Sequence, residues 1–239
     1  VLKNSRVKEI TKEHLLPKFL FFKNIFFQSM PITVSICGYS IAAAIIFTYV
    51  GQSGEYATAG YGAGTRIEQV VLLPILGINT AIISIISQNY GAKNFNRIKE
   101  TYFIALKYAF IIMVTSGIIV FTSANIITSF FSSDPEVIEY GKRYLKISAF
   151  VLPAYPIFFL SNGFFMAIKK SEIAMISNFF RNVMNPILVF YIAKYISASF
   201  NTFFGIWVVI NWFFSMLYLM IVFYYLKSRL EKSSAVVHP

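Results

Sequence analysis

The sequence is poor in the residues that build most enzyme sites. It has one cysteine, Cys37, which excludes an intrachain disulfide framework and a cysteine-ligated zinc site. Its two histidines, His14 and His238, lie near opposite termini, so a histidine metal cluster is excluded as well. Charged residues make up 13% of the chain, about half of the roughly 25% usual in soluble domains. That scarcity argues against a soluble enzyme and against a disordered chain. No Walker loop, Rossmann fingerprint or HExxH segment is present. Tyr61-Gly62-Ala63-Gly64 looks like part of a glycine loop, but it sits between two apolar stretches rather than after a strand.

What is abundant is apolar. Of 239 residues 57% are hydrophobic, 26 are Phe and 15 are Tyr, and the mean hydropathy is +0.65. One globular core cannot hide that surface, so the chain requires lipid. A membrane helix takes about 20 mostly apolar residues to cross roughly 30 Å of hydrocarbon. Six stretches qualify: 27–50, 67–89, 102–124, 146–167, 172–194 and 203–226. Residues 1–24 differ. Their six Lys and Arg alternate with Leu, Val, Ile and Phe, which predicts a basic amphipathic segment on a membrane surface. The expected fold class is therefore an all-α membrane protein of six transmembrane helices, with a tail over 227–239.

The net charge of +11 fits loops facing anionic lipid better than nucleic-acid binding. Fourteen Lys and Arg gather on the side of the N-terminal segment and of residues 93–99, 169–170 and 227–232. Five lie opposite: Arg66, Lys142, Arg143, Lys146 and Lys194. The positive-inside rule then places both termini in the cytoplasm. On the outer side, Ser133 or Asp134 can cap a short interfacial helix over 135–145, with Pro135 at its first position and Glu136 in its first turn.

Polar groups inside the spans are the functional candidates. Arg181 follows Ser171 by about 15 Å of helix, near mid-membrane. An arginine there costs at least about 2.5–3.5 kcal/mol on insertion scales, so it should face the bundle interior or a hydrated cavity. A structural arginine bonded to backbone carbonyls is the alternative. Asn178, Asn182 and Asn185 share a face at i, i+4, i+7, with Arg181 at its edge. That stripe suits a cavity wall, or else interhelical hydrogen bonding. Gln69, Thr80, Ser84 and Ser87 form a milder stripe in the second span, with Asn79 beside it, and Asn162 adds an amide in the fourth. Arg66 and Glu68, two residues apart, point away from each other and need partners on other helices. Glu68 and Glu172 fall at helix ends, so no carboxylate is expected near the bilayer centre. Pro31, Pro74, Pro153, Pro156 and Pro186 read as packing kinks or as hinges, with Gly77, Gly117 and Gly163 as close-packing points.

The run Tyr61-Gly-Ala-Gly-Thr-Arg-Ile-Glu68, then Leu73-Pro-Ile-Leu-Gly77, then Gln88-Asn-Tyr-Gly-Ala-Lys93, closely resembles the multidrug and toxic compound extrusion transporters. Phe131-Ser-Ser-Asp-Pro-Glu-Val137, Tyr144-Leu145 and the Arg181 to Asn185-Pro186 region follow in matching order. Gly62, Arg66, Glu68, Pro74, Gly77, Gln88, Asn89, Gly91 and Ala92 carry the resemblance as family-motif positions. It spans roughly 25–226 and fits the second of two six-helix lobes around a central cavity, with 1–24 as the cytoplasmic connector between lobes. A chain starting at Val1 without Met is then expected to be a fragment.

The resemblance implies secondary active efflux of organic cations and other amphipathic drugs from a bacterial inner membrane. Exchange for protons or sodium ions would drive it, with no cofactor and no enzymatic step. The partners would be the N-terminal six-helix half, membrane lipids and amphipathic or cationic small molecules. Some branches of the family carry cation-binding carboxylates in the seventh and tenth helices. The matching stretches here, Cys37 to Ser40 and Tyr155 to Pro156, have none. The coupling ion is therefore expected in the absent half. The expected cavity wall comprises Arg181, Asn178, Asn182, Asn185, Asn162, Gln69, Tyr39 and Tyr155. A lipid-linked saccharide exporter, favouring a more basic cavity, and a non-transporting membrane scaffold are the rival readings.

Overall fold

A computed structural model describes residues 19–227, with side chains from 37 onward and those of Phe22, Phe26 and Thr33. The described residues are helical throughout, apart from short turns. The helices are α1 (Phe19–Gly51), α2 (Glu55–Gly91), α3 (Phe95–Ser129), α4 (Pro135–Ser148), α5 (Tyr155–Ala167), α6 (Ser171–Phe179), α7 (Asn185–Tyr195) and α8 (Phe200–Tyr225). A 3₁₀ turn, Leu152–Ala154, leads into α5, and a π-turn, Phe180–Met184, joins α6 to α7. Residues 1–18 of the expected connector, and the tail after 227, lie outside the described residues.

Four helical stretches are each long and apolar enough to cross a membrane: α2, α3, Ser171–Tyr195 and α8. α4 and α5 together make a fifth, bent by 40°. α1 is 33 residues long. The expected span 146–167 is thus two helices rather than one. Pro153 and Pro156 explain the break, because each removes a backbone donor and its ring crowds the carbonyl four residues back. α4 starts where Asp134 caps it: its Oδ1 accepts from Glu136 N at 2.8 Å, and Pro135 fills the first position.

The helix that contains the expected span 67–89 begins well before it. α2 runs unbroken for 37 residues from Glu55. Hydropathy faded before position 67 because Tyr, Thr, Gly and Arg dilute the apolar pattern, yet small residues let this stretch pack tightly. A Cβ on Gly60 would stand 2.7 Å from Val137 O and Gly141 N of α4. A Cβ on Gly64 would overlap the Tyr144 ring. Close backbone approach through small residues is the usual glue of membrane helices. Gly62, the motif glycine, has nothing within 4 Å of such a Cβ. The packing therefore rests on its neighbours at 60 and 64.

α5 is the central helix. All its residues except Phe159 and Met166 are buried, as expected of a helix apolar on every side. It packs against α2, α3, α6 and α8. Hydrogen bonds pin it there: Tyr102 OH of α3 pairs with Ser161 Oγ at 2.9 Å, and Tyr218 OH of α8 donates to Asn162 Oδ1 at 2.9 Å. The Gln88–Lys93 motif ends α2 and turns the chain into α3. Ala92 N donates to Gln88 O at 3.0 Å and Asn94 N to Asn89 O at 2.9 Å, while Asn94 Oδ1 caps α3 by accepting from Arg97 N at 3.3 Å. Gln88, Gly91 and Ala92 are exposed there, and so are Arg66, Pro74 and Gly77 farther up α2.

Replacing Gly60 with Ala should destabilise the protein by about 1–3 kcal/mol, because the methyl meets backbone atoms that cannot step aside. Gly62→Ala should leave the melting temperature unchanged or raise it, since helix interiors favour Ala over Gly by about 0.5–1 kcal/mol. Thermal melts of the two variants in detergent test the contrast, and equal losses would contradict it.

Candidate functional site

A cavity of about 240 Å³ opens between α1, α2, α4, α5, the π-turn and α8. Its polar lining is Tyr39, Thr65, Glu68, Gln69, Tyr144, Tyr155, Arg181 and Asn182, set among Tyr61, Phe204 and Trp207. Two charges of opposite sign anchor it.

Glu68 lies about 20 Å along α2 from Glu55. It is therefore deep within a helix and not at its end, which corrects the reading of Glu68 as a helix-end residue. Its Oε2 accepts from Tyr144 OH and its Oε1 from Tyr155 OH. Tyr144 belongs to α4 and Tyr155 to α5, so the two arms of the bent pair close on one carboxylate. A carboxylate inside a bundle persists only when neighbours supply such donors.

Arg181 is 8% exposed. Its guanidinium carbon stands 4.2 Å from the Phe158 ring centre, 4.8 Å from that of Tyr155 and 5.5 Å from that of Phe159. These distances fall within the cation–π range. Its Nε donates to Asn211 Oδ1 at 3.4 Å, and Asn211 Nδ2 in turn donates to Trp207 O at 2.9 Å. No ion pair joins Glu68 to Arg181; those among the described residues are surface pairs at Glu100 and Glu139. Tyr155 stands between the two charges, giving its hydroxyl to Glu68 and its ring face to Arg181.

The cavity thus brings together Tyr39, Gln69, Tyr155, Arg181 and Asn182. Tyr39 and Gln69 are exposed at its rim. Asn182 is buried, and its Nδ2 has no protein partner. The remaining three asparagines do not line it. Asn162 Nδ2 donates to Asn178 Oδ1 at 3.5 Å, and Asn178 Nδ2 donates to Ala174 O at 2.9 Å, so this pair ties α5 to α6. Asn185 is fully buried with both side-chain polar atoms unpartnered. The shared face read from i, i+4, i+7 spacing is broken by the π-turn, which needs an extra residue and rotates everything after it. Pro186 accounts for the turn: in a regular α-helix its ring would crowd the carbonyl of Asn182.

Sequence reasoning missed Glu68 and Tyr144 in the cavity lining, and Asn211 behind it as the acceptor for Arg181. Asn211 was visible as a lone amide in an apolar span, a recognised sign of a functional or bridging group. Glu68 was signalled by Gly60 and Gly64 at small-xxx-small spacing, which extends the packed helix past Arg66. Among the described residues no three His, Cys, Asp or Glu side chains gather as metal ligands.

Removing the Glu68 acceptor strands two tyrosine hydroxyls. Glu68→Ala should therefore destabilise by roughly 1–3 kcal/mol for each hydroxyl left unpaired. Glu68→Gln keeps polar atoms in reach of both and should cost less. Melting temperatures of the two purified variants decide the order.

Residues 31–191 match the family described as MatE. The chain is 30% identical over 107 residues to a FAD transporter of Shewanella oneidensis, covering 45% of this chain and 24% of that protein. It is 24% identical over 164 residues to the multidrug export protein MepA of Staphylococcus haemolyticus, covering 69% of this chain and 36% of that one. Among solved structures it superposes on a crystal structure of MATE in complex with MaL6, with a TM-score of 0.82 at 20% identity. That superposition covers 95% of this chain and 51% of the other, so this chain spans about half of the solved transporter. With more than half of its length matched by the family, and its helices laid out as in a solved member, the chain belongs to the MatE family of membrane transporters.

Proposed function

We propose that this chain is the C-terminal lobe of a two-lobe secondary active exporter of amphipathic drugs, organic cations included. The observation that carries the reading is the cavity itself. Glu68, Arg181 and the unpartnered Asn182 amide lie among aromatic rings, inside a bundle of membrane helices. Aromatic faces attract flat cations, and spare polar atoms in an apolar wall orient a ligand. The export activity named for the Staphylococcus relative supports it. The lobe would comprise six spans, with α1 as the first and both ends in the cytoplasm of a bacterial inner membrane. The N-terminal lobe would be its partner.

Transport follows from alternating access. Two lobes rock about the cavity, and a proton or sodium ion biases one arrangement by binding it more tightly. The coupling site belongs to the N-terminal lobe in this reading, and the present lobe supplies the drug-facing wall. No catalytic step is required. A lipid-linked saccharide exporter would call for clustered basic residues, whereas this cavity sets one arginine against one glutamate.

The complete protein, expressed in cells stripped of their own drug exporters, should lower ethidium accumulation. Arg181→Ala should cut that export about ten-fold or more, the loss that matches about 1.4 kcal/mol of interaction. Full export by a normally expressed Arg181→Ala variant would remove the residue from the mechanism, and no export by the wild type would remove the proposal.

A further inference from the structure

A second hollow lies apart from the site above and shares no lining residue with it. It is an open groove of about 650 Å³ walled by α3, the α4–α5 bend and α8. Phe110, Gly117 and Phe121 of α3 form one side, Phe150 and Pro153 of the bend another, and Trp212 of α8 the third. The bend creates it, because the chain steps aside where Pro153 breaks the helix. Trp212 is fixed in the wall by donating its Nε1 hydrogen to Phe150 O at 2.8 Å. From Phe110 to Thr122 the groove runs about 18 Å along α3. Its lining is almost wholly apolar.

One end of the groove carries a charge. Lys146 Nζ lies 5.5 Å from the centre of the Phe121 ring. The two other cations of α4 share one acid: Glu139 accepts from Lys142 Nζ at 2.7 Å and from Arg143 Nε at 3.0 Å. Lys146 has no acidic partner among the described residues. An exposed ammonium at one end of a long apolar groove matches one kind of molecule, an anion with a hydrocarbon chain.

We propose that this groove binds an anionic phospholipid, one acyl chain lying along α3 and its phosphate against Lys146. The Trp212 ring contacts the chain, and Lys146 sets the preference for anionic over zwitterionic headgroups. The occupant is a bilayer lipid and not the exported compound, since the groove shares none of its lining residues with the Glu68–Arg181 cavity.

Bromine on an acyl chain quenches an indole that it touches, and Trp212 is placed to report it. The complete protein would be reconstituted in phosphatidylcholine nanodiscs with rising fractions of brominated phosphatidylglycerol or brominated phosphatidylcholine. The Trp212 signal is the difference between wild type and Trp212→Phe. Half-quenching should occur at about a five-fold lower fraction of brominated phosphatidylglycerol, as about 1 kcal/mol for one lysine near a headgroup implies. Lys146→Glu should erase that advantage while leaving quenching by brominated phosphatidylcholine in place. Equal midpoints in the wild type would overturn the proposal. Absence of quenching by either lipid would also overturn it, because the groove would then be covered by protein. Native mass spectrometry of the same nanodiscs gives a readout independent of the tryptophan. Bound phosphatidylglycerol should survive release of the wild type and be lost from Lys146→Glu, and its retention by the variant would count against the headgroup contact.

Discussion

Glu68 can lie inside a bundle of membrane helices only because two tyrosines reach it from two different helices. In hydrocarbon no water is at hand, so each polar group needs a protein partner or a hydrated cavity. Meeting that demand fixes much of the fold. α2 must approach α4 closely enough for Tyr144 to bond Glu68, and glycines at 60, 64 and 141 permit the approach. The chain must also break between α4 and α5, or Tyr144 and Tyr155 could not converge on one carboxylate. The proline-rich bend is thus a positioning device, and the apolar groove is its geometric by-product.

Arg181 is held by a different kind of force. Three ring faces and one long hydrogen bond surround it, and no carboxylate touches it. Such a setting keeps a guanidinium buried while leaving most of its five donors uncommitted. The neighbouring π-turn has the same consequence for the backbone. It turns Asn182 toward the cavity and leaves Asn178 to bridge to α5. One irregular turn therefore separates a cavity-facing amide from a structural one.

The sequence made the membrane class, the Asp134 cap and the burial of Arg181 legible, because each depends on local composition. The bend of the fourth stretch was foreshadowed by Pro153 and Pro156, but a hydropathy window averages over a kink. The place of Glu68 was hidden for a related reason. Arg66 and Glu68 look like the end of an apolar run, and only tertiary contacts satisfy them. The asparagine stripe misled because helical spacing assumes 3.6 residues per turn, and a π-turn resets the count. Choosing Gly62 over Gly60 and Gly64 had the same root, since a motif records which residues recur and not which of them meets another backbone.

The surface of α2 bears on what else the fold requires. Thr80 and Ser87 are exposed and donate to their own helix, to Leu76 O at 2.9 Å and Ile83 O at 2.6 Å. That leaves them compatible with lipid. Gln69 is different: it is exposed at the cavity mouth, one position from a half-buried carboxylate, and an amide facing bare hydrocarbon would be costly. Tyr39 stands beside it on α1, 49% exposed. A mouth lined by an amide and a phenol, with an acid and an arginine behind it, suits water or a polar surface better than acyl chains. Solved relatives extend for about as much again beyond the region this chain matches. A second lobe closing over that mouth would give Gln69 and Tyr39 the aqueous cavity that their chemistry favours.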